Sequence, residues 1–159
     1  MSPQPRRKTE TRWLSPEEQT AWRAYLHGSR LLENALDDDV AKHGISLSEY
    51  ELISMLSEAE GGRMRMSALA DLVVQSRSRV THTASRLERR GLVLREPSAE
   101  DGRGVELVLT DAGQRTIDEL ARVHVESVRE HFIDVLTAEQ FRHLGAAMAL
   151  VQAHGRKRR

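Results

Sequence analysis

The chain has 159 residues, no cysteine, and 24 basic against 24 acidic side chains, for a formal net charge of zero. Without cysteine, disulfide frameworks, thiolate zinc sites and thiol-oxidation sensing are excluded. No apolar run approaches the roughly 20 residues of a membrane span, and no hydrophobic stretch follows the basic N-terminus, so a cytoplasmic single-domain protein without a secretory signal is expected.

Residues 1–12 hold Pro3, Pro5 and the run Arg6-Arg7-Lys8 without apolar periodicity, and read as a disordered basic tail. Ser15-Pro16-Glu17-Glu18 joins an N-cap serine, a proline at the first helical position and a glutamate three residues after the cap, so a helix is expected from about 15 to 42. Ala21, Trp22, Tyr25, Leu26, Leu32, Ala35 and Leu36 recur along it at helical spacing. Trp13, just before the cap, is expected to pack as a hydrophobic staple, and Asp37-Asp38-Asp39 to be a solvated helix end. A second capping box, Ser46-Leu47-Ser48-Glu49, opens a helix through about Ala59 that Gly61-Gly62 stops.

After an extended stretch at 63–65, Leu69, Ala70, Leu72 and Val73 predict a brief helix, and a longer one follows from about Ser76 to Arg90, with Gly91 as the C′ glycine and a turn at Val74-Gln75 between the two. Residues 92–94 and 105–109, rich in aliphatic side chains and separated by Pro97, Gly102 and Gly104, read as a hairpin with a long loop. Thr110 caps a long helix to about Leu136, and the capping box Thr137-Ala138-Glu139-Gln140 starts a last helix to about His154, before a basic tail at 155–159. Ile117, Leu120, Val128 and Val135 on the fifth helix, and Phe141, Leu144, Met148 and Val151 on the sixth, form near-heptad stripes that call for a partner. The expected fold class is mainly α with a small β-hairpin wing.

Charge is concentrated in the middle of the chain. Nine arginines face five acids between Arg63 and Arg103, whereas Glu17 to Asp39 carries six acids against Arg23 and Arg30. On the helix from Ser76, Val80, Ala84 and Leu87 share one side while Ser78, His82, Ser85, Arg86 and Arg89 point away. A short helix followed by such a helix meets the requirement of a helix-turn-helix, in which the apolar face anchors the second helix and the outer face enters the major groove. The loop 96–104 then falls where a wing straddles the duplex backbone and places Arg103 in or beside the minor groove.

From Leu87 to Gly113 the chain reads LERRGLV, a seven-residue gap, then DGRGVELVLTDAG. With the preceding VVQSRSRVTHTASRL, this resembles the MarR family of bacterial regulators over nearly the whole chain. The resemblance implies a winged helix-turn-helix at about 46–110 and dimerisation helices at about 15–42 and 111–154 within one domain of residues 13–154. It further implies an obligate homodimer on a pseudo-palindromic double-stranded operator, acting as a repressor. By matching position Arg103 is the wing residue that approaches DNA and Asp101 its restraint; His82 stands where relatives often carry arginine or another small polar residue. Ser76, Arg77, Ser78, Arg79, Thr81, His82 and Arg86 are the expected DNA contacts, Arg86 to phosphate, while Arg89 and Arg90 offset the helix dipole.

Relatives often bind small aromatic or phenolic effectors between the dimerisation helices and the winged domain, so Trp22, Tyr25, His27 and Arg30 are effector candidates, with ordinary core packing as the competing reading. A zinc- or pH-responsive variant of the same regulator points to His27, His43, His124 and His131, although the seven-residue interval between the last two is too long for a usual adjacent-turn metal pair. No metal or cofactor is expected. No phosphate loop, nucleophile elbow or metalloprotease helix is present, so no enzyme is expected, and a helical protein-interaction module without DNA binding is the remaining alternative.

Overall fold

The structure is a computed structural model that describes residues 11–98 and 104–157. Two units divide it, residues 1–31 and residues 32–159. In the first, α1 (Pro16–Ala41) begins at a reciprocal cap: the Glu18 N–H donates to Ser15 Oγ at 3.1 Å and the Ser15 N–H to Glu18 Oε2 at 2.8 Å. The staple is not formed. Trp13 is 84% exposed, so the reciprocal cap of Ser15 and Glu18 fixes the start of the helix without it.

The second unit contains the rest of α1, then α2 (Leu47–Glu58), β1 (Arg63–Arg65), α3 (Met66–Leu72), α4 (Arg77–Arg89), β2 (Val93–Pro97), β3 (Val105–Leu109), α5 (Asp111–Val128) and α6 (Ala138–Arg156). Its core gathers Val40, Leu52, Ile53, Leu56, Leu69, Val80, Leu87, Val93 and Leu107, all fully buried. Each contributes about 1.5–3 kcal/mol relative to exposure, which is how short helices with little stability of their own are held.

The stretch at 63–65 is a strand, and it turns the hairpin into a three-stranded antiparallel sheet in the order β1-β3-β2. Glu96 and Glu106 lie directly opposite each other on β2 and β3, a pairing that repels. Arg63 on β1 resolves it, with Nη2 2.7 Å from Glu96 Oε2 and Nε 2.8 Å from Glu106 Oε2. The Arg63 hydrogen bond, with a further one from Ser98, holds the Glu106 carboxyl below its usual range against the effect of burial.

The α4 C-terminus closes as a Schellman motif, with Gly91 N–H to Glu88 O at 2.9 Å, Leu92 N–H to Leu87 O at 3.0 Å and Gly91 at φ 72°. Thr110 then joins sheet to helix: its N–H donates to Leu92 O, its Oγ1 to Gly91 O at 2.7 Å, and its Oγ1 accepts from the Gly113 N–H.

The acidic run at the end of α1 departs from the solvated end expected of it. Asp37 Oδ1 accepts from the Leu47 N–H at 2.7 Å, at the positive end of the α2 dipole. Asp39 Oδ1 pairs with Lys42, and its Oδ2 takes Ser127 Oγ at 2.6 Å and His131 Nε2 at 3.0 Å. Lys42 above all, then Ser127, hold the Asp39 carboxyl far below the ordinary range. Only Asp38 is exposed. The long fifth helix also ends early, because the α-helical turns stop at Val128 and a π turn follows over 129–133, so the expected stripe breaks and Val135 is exposed.

Candidate nucleic-acid interface

Ser76 starts α4 by accepting the Arg79 N–H at 3.2 Å. Val80, Thr83, Ala84 and Leu87 are buried, which leaves one flank of the helix to solvent. Ser76, Arg77, Ser78, Arg79, Thr81, His82 and Arg86 all occupy exposed positions. The buried Thr83 was not among the residues expected on the core face; its methyl group makes it tolerable there.

These seven are not equivalent. Thr81 and Ser85 turn their hydroxyls back onto Arg77 O at 2.8 Å and Thr81 O at 2.9 Å. Arg86 reaches across to α2, where its Nε donates to Glu49 Oε1 at 3.1 Å and its Nη2 to Ser46 Oγ at 3.3 Å. Burial raises the Glu49 carboxyl, but the Ser46 N–H and hydroxyl and the Arg86 guanidinium outweigh it, and Glu49 stays below its usual range. The capping box of α2 therefore doubles as the seat of α4. Arg90 lies 3.8 Å from the same carboxylate, and Arg89 Nε donates to Ser85 O at 3.3 Å.

An open groove of about 410 Å³ runs between α3, α4 and the sheet, lined by Arg65, Ser67, Arg77, Thr81, Arg95 and Gly104. Of its arginines, Arg77 stands on the exposed flank of α4 and Arg95 is paired with Glu88 at 3.3 Å. A second hollow, of about 610 Å³, has Glu33, Asp37, Glu51, Gln75, Arg79 and Arg86 in its wall. Burial, with the neighbouring Glu33, raises the Glu51 carboxyl.

Asp101 and Arg103 lie outside the described residues. Trp22, Tyr25, His27 and Arg30 are exposed on α1, Trp22 and Tyr25 stacking at 5.9 Å. Of the histidines, His124 tilts against Tyr50 at 4.4 Å and His131 bonds Asp39, so the two that share a helical face are engaged separately. No group of three or more metal-ligating side chains converges among the described residues. Sequence reasoning missed Arg95, whose guanidinium binds α4 from β2; its partners are remote in the chain, and nothing local in the sequence marks it.

A short helix, a turn, an exposed basic helix and an antiparallel strand pair define a winged helix-turn-helix. The model of the MarR family matches residues 43–104. The structure is similar to that of AbsC, a MarR family transcriptional regulator from Streptomyces coelicolor, with a TM-score of 0.87 and 44% identity over 92% of this chain and 99% of that one. It is also similar to Sco3205 of the same organism, solved in complex with DNA, with a TM-score of 0.86 and 39% identity over 91% of each chain. PecS of Dickeya dadantii, an HTH-type transcriptional regulator, is 28% identical over 127 residues, covering 79% of this chain and 76% of its own. The chain belongs to the MarR family of transcriptional regulators.

Proposed function

We propose that the protein binds double-stranded DNA sequence-specifically as a homodimeric cytoplasmic repressor on a pseudo-palindromic operator, and that a small aromatic or phenolic effector releases it. The observation that carries this reading is the outward flank of α4, where Ser76, Arg77, Ser78, Arg79, Thr81 and His82 are exposed while the opposite face is locked into the core. Hydroxyl, imidazole and guanidinium groups there read base edges. Arg86, its charge balanced by Glu49, is assigned to seating α4 on α2 and not to a phosphate. Arg103 on the wing enters or flanks the minor groove, restrained by Asp101. That Sco3205 is solved with DNA supports the assignment.

In this reading residues 46–110 read DNA, while 15–42 and 111–154 dimerise. Two-fold docking sets the half-sites about one helical turn apart, and the effector, with Trp22, Tyr25, His27 and Arg30 as its candidate contacts, favours a dimer whose recognition helices no longer match that spacing. The protein works without enzymatic activity.

The test is binding to fluorescent duplex from the gene's own upstream region and to a scrambled duplex, across a salt series. Strong preference for the upstream duplex with affinity falling steeply as salt rises is expected. Arg103→Ala should lose about 1–3 kcal/mol of operator affinity; full retention would remove the wing assignment. Salt-insensitive binding to a protein partner, with no affinity for either duplex, would favour the interaction-module reading.

A further inference from the structure

Arg95 stands at a place in β2 where the strand runs out of core to cover. Side chains alternate along a strand, so Arg95 continues the face on which Val93 is fully buried, opposite Leu107 on β3. Two residues further along, that face meets the flank of α4. There the Arg95 Nη2 donates to Thr81 O at 3.0 Å and to Ser85 Oγ at 2.8 Å, and its Nη1 lies 3.3 Å from Glu88 Oε2. Residues 81, 85 and 88 follow one another at helical spacing, so a single planar guanidinium spans two turns of the helix. The side chain is 28% exposed, which leaves it only partly open to competing water.

We propose that Arg95 is a positioning residue that sets the angle between wing and recognition helix, so that operator preference, and not general affinity for DNA, depends on it. The proposal rests on the DNA-binding reading above. A wing free to swing still offers its charge to any duplex, but base-reading residues on α4 and the wing arginine then reach both grooves in register less often. Specificity falls where non-specific attraction does not. Glu88 has the opposite sign in the two possible roles of Arg95. If Arg95 clamps the helix, loss of Glu88 weakens the clamp. If Arg95 touches a phosphate, loss of a nearby acid strengthens DNA binding.

A duplex is first selected from a random library by the wild-type protein, and binding of that duplex and a scrambled one is then measured over a salt series for wild type, Arg95→Gln, Arg95→Lys and Glu88→Gln, with a thermal melt of each. Arg95→Gln is expected to reduce the preference for the selected duplex about tenfold with the salt slope unchanged. Arg95→Lys should fail to restore it, because an ammonium is a point charge and cannot hold the planar fork. Glu88→Gln should lose part of the preference in the same direction and supplies the test if Arg95→Gln does not fold. Equal weakening on both duplexes with a salt slope lower by about one, rescued by lysine, would overturn the proposal in favour of a direct phosphate contact. Unchanged preference in all three variants would overturn it outright. A wild-type protein that selects no duplex would instead sink the DNA-binding reading itself.

Discussion

At Gly113 the absence of a methyl group decides whether α5 can start where it does. A Cβ there would overlap the Leu92 carbonyl oxygen and lie 2.6 Å from Leu109 Cδ1, and the carbonyl belongs to rigid backbone already bonded to Thr110. Gly113→Ala is therefore expected to destabilise the fold by about 2 kcal/mol or more, read as a lower midpoint in urea with unchanged slope. His124 makes a second case. Burial against Tyr50 lowers its pKa, so the folded chain resists a proton that the unfolded chain accepts. Its contribution is complete above the unfolded value of about 6.5 and is lost as pH falls through the depressed folded value. His124→Phe should flatten the stability–pH curve on the acid side of neutrality relative to wild type; parallel curves would show that His124 is not the source.

Elements divide by whether their causes are local. The capping boxes at Ser46 and Thr137 and the closing glycine of α4 act over three or four residues, so both position and boundary of these helices are legible in sequence. The outer flank of α4 is legible for the same reason, since a wheel needs only the helical period. Arg63–Arg65 looks merely extended until β3 is folded beside it, and Arg95 has no visible role until α4 lies against β2. The π turn at 129–133 likewise follows from no capping residue. Between α3 and α4 the chain contradicts local preference: Val74 takes φ 55°, a left-handed conformation costly for a β-branched side chain, while 59% exposed. Val74→Asn should raise stability by about 1 kcal/mol, since asparagine visits this region more readily and little packing is lost. A lower melting temperature would show that the valine side chain contributes more than its exposure implies.

At the scale of the whole molecule, exposed Leu150 and Val151 on α6, with Trp22, Tyr25 and Leu31 on α1, leave apolar surface that the homodimer reading assigns to a second copy. If folding and association are linked, the melting temperature must rise with protein concentration by mass action. A tenfold dilution series checks this, and a constant midpoint across it would indicate a monomer that is stable alone.

Asp37 and Asp39 give the second unit one further property. Two residues apart on an α-helix, they point about 200° away from each other, one to the first turn of α2, the other to Ser127 and His131. The last turns of α1 are thus gripped from two sides, as a shaft is by a key and a pin. A rotation of this segment about its axis would have to break the contact with α2 and the contacts with Ser127 and His131 together. On α2, the Glu49 carboxylate in turn holds Arg86 of α4.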